Sequence, residues 1–217
     1  MVGPSYPSEP QARGVLPGQP AWDVALLYPL QGAWGDFDYL AFTTASNRLI
    51  EFTDGTIEVQ PMPTSSHQRI LVFLLARLQE FIVPPRLGEA LCAPLRVKIR
   101  DGKFREPDLV FMRAENTARI GEDFWDGADL VMEVVSSDPE SRKRDLQQKP
   151  LDYAEGRIPE YWIVDPQQKT ITVLVLQQQA YVVHGTFAEN ETATSQLLGG
   201  WTVSVADVFR AASAPRL

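Results

Sequence analysis

The run "DLVMEVVSS", residues 129 to 137, sets one glutamate, Glu133, inside an otherwise apolar stretch. An ionised carboxylate removed from water must be paired, hydrogen-bonded, bound to a metal ion or neutralised by a shifted pKa. In an extended chain, alternation puts Leu130, Met132 and Val134 on one face and Val131, Glu133 and Val135 on the other. Both faces are apolar, as in a strand covered on each side. Glu133 therefore points into a covered region, and the fold must supply its partner. A cation and a buried arginine are the two candidates.

The rest of the chain limits which folds can provide that setting. At 217 residues and 44% hydrophobic content, the chain can bury one sizeable core, and we expect one domain over residues 21–217. The first 20 residues carry five prolines and no periodicity, which reads as a flexible arm. The N-terminus lacks a secretory pattern, and no apolar run approaches the roughly 20 residues of a membrane span, so a cytoplasmic protein with no membrane partner is expected. Cys92 is the single cysteine and His67 and His184 are the two histidines. One chain cannot build a disulfide or a four-ligand zinc site from these, so any metal would be held by oxygen. A net charge of -8 argues against a surface that embraces nucleic acid throughout. Two stretches run the other way, "RVKIRDGKFR" (96–105) and "SRKRDLQQK" (141–149), either as solvated faces or as a local footprint for a polyanion.

Periodicity and turn residues outline the elements. "DFDYLAFTTASN" reads as a short helix. "RLIEFTDGTIEVQ" is two alternating runs around Asp54-Gly55, a two-residue hairpin turn that needs positive φ at both positions. That register pairs Ile50 with Val59 and Phe52 with Ile57, and sets Glu51 opposite Glu58, an unfavourable like-charge pair. "SSHQRILVFLLARLQEFIVPP" predicts a helix capped at Ser65 or Ser66 and stopped by the double proline. "EALCAPLRVKI", "PDLVFM" and "LVMEVVS" read as central strands. The polar segment 138–157 is helix-like, with Pro150 kinking it or starting it anew. "EYWIVD", "KTITVLVLQ" and "AYVVHGTF" follow as strands, and "WTVSVADVFR" as a strand and a short terminal helix. Interleaved helices and apolar strands make a mixed α/β protein.

Asp108, after Pro107, heads the strand that precedes the one bearing Glu133. If the two strands are neighbours, both acids converge at one edge of the sheet, and such a pair suits Mg²⁺, which takes carboxylates and keeps several waters. Alone, Asp108 reads equally as a strand-entry aspartate. Lys149 reads as an exposed lysine pairing with Asp145, its direction unsettled because Pro150 disfavours helical angles at the residue before it. His67 reads as a local hydrogen-bonding residue at a helix start, or as a neighbour of the metal. Trp125, Tyr161 and Trp162 read as core, with stacking on bases as the alternative.

The ordered string "LIEFTDGTIEVQPMPTSSHQ", "PDLVFM", "EVVSS" and "RDLQQKPLDYAEGRIPEYWIVDP" resembles the Uma2 family, in the PD-(D/E)XK restriction-endonuclease-like superfamily, from the hairpin to "SVADVF". The resemblance implies a restriction-endonuclease-like core, with a mixed central sheet flanked by helices and preceded by an N-terminal β-hairpin. It implies an endonuclease that hydrolyses DNA with Mg²⁺, Mn²⁺ substituting, and that acts as a possible homodimer. Asp108 and Glu133 would be the metal-binding acids and Glu51 would complete the acidic cluster. The superfamily lysine, expected two residues after the glutamate, is replaced there by Val135, and Lys149 on the next helix takes its place. The alternative is a catalytically inactive module of the same fold that binds protein or nucleic acid.

Overall fold

The computed structural model describes residues 28–46 and 48–213; the proposed arm at 1–20 lies outside them. Helix α1 (Asp36–Ala45) leads into the hairpin of β1 (Ile50–Thr53) and β2 (Thr56–Val59). The hairpin register is the one alternation predicts, with Ile50 against Val59, Glu51 against Glu58 and Phe52 against Ile57. Asp54 (φ 45°) and Gly55 (φ 84°) take the left-handed conformations that such a turn demands. A side chain at position 55 would also strike the Gly32 carbonyl oxygen at 2.5 Å.

Helix α2 (Ser65–Ile82) buries Ile70, Leu71, Leu74, Leu78 and Ile82 along one stripe. Its cap is Thr64, whose side chain accepts from the His67 N–H, one residue earlier than the expected serine. The helix stops before Pro84 and Pro85, as predicted. Then come β3 (Gly88–Cys92), β4 (Val97–Arg100), β5 (Lys103–Arg105), β6 (Leu109–Arg113), a short 3-10 turn and β7 (Leu130–Val134). A helical segment follows in three parts, namely α3 (Pro139–Lys143), a π turn (Arg144–Gln148) and α4 (Lys149–Glu155). The chain closes with β8 (Glu160–Asp165), β9 (Thr170–Gln177), β10 (Ala180–Ala188), β11 (Thr192–Thr194), β12 (Thr202–Ser204) and α5 (Val205–Ala211).

Two sheets organise these elements. The larger runs β10-β9-β8-β7-β6-β3, with β7 and β8 parallel and the other neighbours antiparallel. Its middle strands β6, β7 and β8 are buried almost throughout, which explains their unbroken apolar runs. The smaller runs β2-β1-β5-β4, so the hairpin is half of a second sheet and "LRVKI" belongs to that sheet. The reading of "EALCAPLRVKI" as a central strand is thereby corrected, since β3 is an edge strand whose burial alternates. A break at Ala93-Pro94 hands the chain from one sheet to the other.

Each face of the large sheet has its own core. Leu130, Met132 and Val134 pack with α2 and α5, while Val131 and Val135 pack with Tyr153 of α4 and with Val97 and Ile99 of β4. Glu133 shares the second face by alternation. Trp125, Tyr161 and Trp162 are fully interior, as read from the sequence.

A buried charge clamp fixes α4 against the small sheet. Asp152 accepts from Lys103 Nζ (3.0 Å) and from Arg105 Nε and Nη2 (2.9 and 2.7 Å), and Glu155 takes Lys103 Nζ (2.7 Å) and Arg100 Nε (2.7 Å). Burial alone would raise the Asp152 carboxyl, yet Arg105, Gln148 and Lys103 hold it below the usual range. Its folded pKa is depressed, so the stability it contributes is present above the unfolded value near 3.9 and is lost as pH falls through the folded one. Asp152→Ala removes the acceptor that two buried cations share and should cost about 3 kcal/mol by urea unfolding at pH 7, with the difference shrinking below about pH 3; an unchanged midpoint at pH 7 would refute the clamp.

Candidate active site

Asp108 stands immediately before β6, whose Leu109 pairs with Met132. Continuing that antiparallel register sets Asp108 opposite Glu133, the convergence that the sequence reading required. Asp108 Oδ2 accepts from the Val134 N–H (2.7 Å) and lies 3.1 Å from His67 Nε2. Because a carboxylate only accepts, His67 carries a proton on Nε2 here. Burial would lower the histidine, but the hydrogen bond to Asp108 and the charge of that acid leave it raised above its ordinary value. Two donors on one oxygen fix the Asp108 carboxylate and leave Oδ1 without a protein donor among the described residues.

The partner of Glu133 is a lysine with a tyrosine. Lys149 Nζ lies 2.8 Å from Glu133 Oε1, and the Tyr153 hydroxyl donates to the same oxygen. Lys149 Nζ also stands 3.4 Å from Asp145 and 3.8 Å from Glu51. Lys149 takes helical angles (φ -58°, ψ -38°) in spite of Pro150, because the preceding turn widens to a π closure in which the Lys149 N–H reaches the Arg144 carbonyl. That closure accommodates a proline lacking its own N–H, and it aims the ammonium at the sheet. The exposed-lysine reading is overturned, although its pairing with Asp145 is present.

Burial pushes the Glu133 carboxyl up to about 8, with Asp108 and Asp145 adding to the effect and Lys149 opposing it. Burial would lower the Lys149 ammonium, but Glu133, Glu51, Asp145 and Asp108 together hold it above the usual lysine range.

All four predicted site residues, Glu51, Asp108, Glu133 and Lys149, line one cavity of about 280 Å³. Glu51 Oε1 is buried there without a hydrogen-bond partner, while Oε2 accepts from Gln60 Nε2 (3.4 Å) and lies 3.8 Å from Arg105. Glu106, which the sequence reading passed over, joins the same wall. Its carboxyl is raised to about 7 by burial and then by the charge of Glu51. Asp145 and Tyr153 were likewise missed as site residues; the only signal for either was their position four residues on each side of Lys149. Among the described residues no three His, Cys, Asp or Glu side chains converge closely enough to hold a metal ion.

The basic stretches are mostly spent within the protein. Arg100 pairs with Asp54 and Glu155, Lys98 with Asp101, and Lys103 and Arg105 with Asp152. Arg96 bonds Thr43, and Arg142 bonds Asp165. Most charges of the first stretch are thus paired within the protein, and Arg100, Lys103 and Arg105 tie the small sheet to its neighbours.

The family model "Uma2: Putative restriction endonuclease" matches residues 34–206. The chain belongs to the Uma2 family. No curated protein matches it. Among solved structures it is similar to one from Anabaena variabilis ATCC 29413, described as "a putative nuclease belonging to DUF820", with TM-score 0.65 and 20% identity over 77% of this chain and 93% of that one. That likeness concerns the fold, a mixed sheet flanked by helices. In this Uma2 chain Val135 is buried in the core beside Val131, and the Lys149 ammonium reaches Glu133 from α4. No helix among the described residues is long and apolar enough to cross a membrane.

Glu133 is raised from 4.5 to about 8, so the folded state holds a proton that the unfolded chain has released, and stability falls as pH rises through that interval. Urea unfolding in EDTA from pH 5 to 8 should show this decline in the parent protein and a flatter profile in Glu133→Gln. Superimposable profiles would remove Glu133 as its source.

Proposed function

We propose that this protein is a Mg²⁺-dependent endonuclease that hydrolyses phosphodiester bonds in DNA. The observation that carries the reading is the meeting of Asp108 and Glu133, from adjacent antiparallel strands, at one cavity with Lys149 2.8 Å from Glu133. The donors fit a hard divalent ion. Each acid has one oxygen engaged by protein donors and its second left for a ligand, and Mg²⁺ accepts two carboxylates with retained waters. Asp108 and Glu133 would hold it, and Glu51 stands as an outer acid behind Lys149. When bound, the ion supplies positive charge beside the phosphorus and a more acidic water.

The remaining roles belong to the chain. His67 and the Val134 N–H orient Asp108 through Oδ2, so that its other oxygen faces the cavity. Tyr153 steadies Glu133 from below. Lys149 would place a charge where the attacking water and the phosphate oxygens meet, a preorganised donor that is itself buried. Glu133, Glu51, Asp145 and Asp108 keep Lys149 protonated, so it acts as a donor rather than as the base.

One observation favours the inactive module instead. Lys149, Glu133 and Tyr153 already satisfy one another without an ion. Calorimetry separates the readings. Mg²⁺ binding that Asp108→Asn abolishes supports the enzyme, whereas no binding at millimolar Mg²⁺ supports the module. With Mg²⁺ or Mn²⁺ the protein should nick supercoiled DNA, and Glu133→Gln should lower the rate by about 100-fold or more at an unchanged circular dichroism spectrum. Persistent inactivity on single-stranded, duplex and structured DNA would sink the proposal.

A further inference from the structure

A second, larger cavity of about 940 Å³ runs between the β1-β2 hairpin and the α3-π-α4 segment, and it opens towards the first through shared walls at Glu51, Gln60, Met62 and Arg144. Arg144 stands at this junction and differs from the other paired arginines. Arg100 and Arg105 are gripped by several acceptors each. Arg144 has one hydrogen bond among the described residues, Nη1 to Glu58 Oε1 at 2.9 Å. Its Nε is buried without a partner, 3.9 Å from Asp145.

The backbone puts Arg144 there deliberately in the geometric sense. In a regular α-helix residues five apart point about 140° from each other. The π closure from the Arg144 carbonyl to the Lys149 N–H brings both onto the side facing the cavity. Glu58 reaches the arginine from β2, where it sits opposite Glu51, and its side chain is 58% exposed. An ion pair so open to water contributes little and exchanges easily.

We propose that Arg144 grips a phosphate of the substrate strand at the mouth of the catalytic cavity, and that Glu58 occupies this guanidinium in the free protein and yields it when the strand enters. The inference rests on the nuclease reading of the cavity and names its substrate contact. A planar guanidinium fork matches phosphate oxygens in a way an ammonium does not. The groove supplies the path, and the shared wall puts the gripped phosphate beside the reacting one.

The test measures binding of a fluorescein-labelled single-stranded oligonucleotide and of its duplex by anisotropy, in the Glu133→Gln protein without divalent ions. Arg144→Ala should raise Kd about tenfold and reduce the salt dependence by about one counterion, with Arg144→Lys in between. Glu58→Gln should lower Kd about two- to threefold, because a competitor for the arginine is gone. A pair that is merely structural would weaken binding on both substitutions together, and that result overturns the inference. Equal affinities overturn it too, while cleavage by the parent leaves the nuclease reading standing. If no oligonucleotide is bound or cut, both readings fall. Should Arg144→Ala unfold, Glu58→Gln on its exposed strand decides alone.

Discussion

The contact between the Lys149 ammonium and Glu133 is the interaction around which the second face of the large sheet is arranged. A glutamate side chain in the middle of β7 and an ammonium in the first turn of α4 are each costly when buried alone, and their attraction offsets desolvation only when further hydrogen bonds complete the geometry. Tyr153 completes it on the glutamate side and Asp145 on the lysine side. The widened turn before Pro150 and the clamp at Asp152 exist in the same helical segment, and both set where Lys149 points. Moving any of them displaces the charge that keeps Glu133 inside.

The same cluster explains how an acidic protein can hold so many carboxylates around one small cavity. Glu51, Glu106, Asp108, Glu133 and Asp145 surround it, and burial lifts Glu133 and Glu106 well above ordinary carboxylate values. Lys149 shares the wall with only two other groups that can carry positive charge, His67 and Arg144. Part of the excess negative charge is relieved by protonation, as the raised Glu133 and Glu106 carboxyls show. Orienting contacts follow the same economy: Asp108 is held on one oxygen by His67 and a backbone N–H, leaving the other available.

Charge that looked like surface in the sequence is largely structural. Arg100, Lys103 and Arg105 tie β4 and β5 to α4 and the hairpin, so the small sheet and the helix carrying Lys149 form one unit. Arg144 is held more loosely, by one exposed glutamate beside the groove.

Local chemistry by itself determined the hairpin register, the long helix, the interior placement of β6, β7 and β8, and the side of β7 that Glu133 faces. Each of these follows from period, turn geometry or alternation among residues close in the chain. The pairing of Asp108 with Glu133, the roles of Asp145, Tyr153 and Glu106, and the loss of "LRVKI" to a second sheet came only from tertiary structure, because they depend on which strands become neighbours. His67 shows the boundary well: its place at a helix start was legible, but its hydrogen bond spans 41 positions, and no local pattern encodes a contact between segments that meet only after the sheet has closed. Lys149 shows it again, since the acids that surround its ammonium come from β1, β7 and the helical segment and meet only once α4 lies on the sheet.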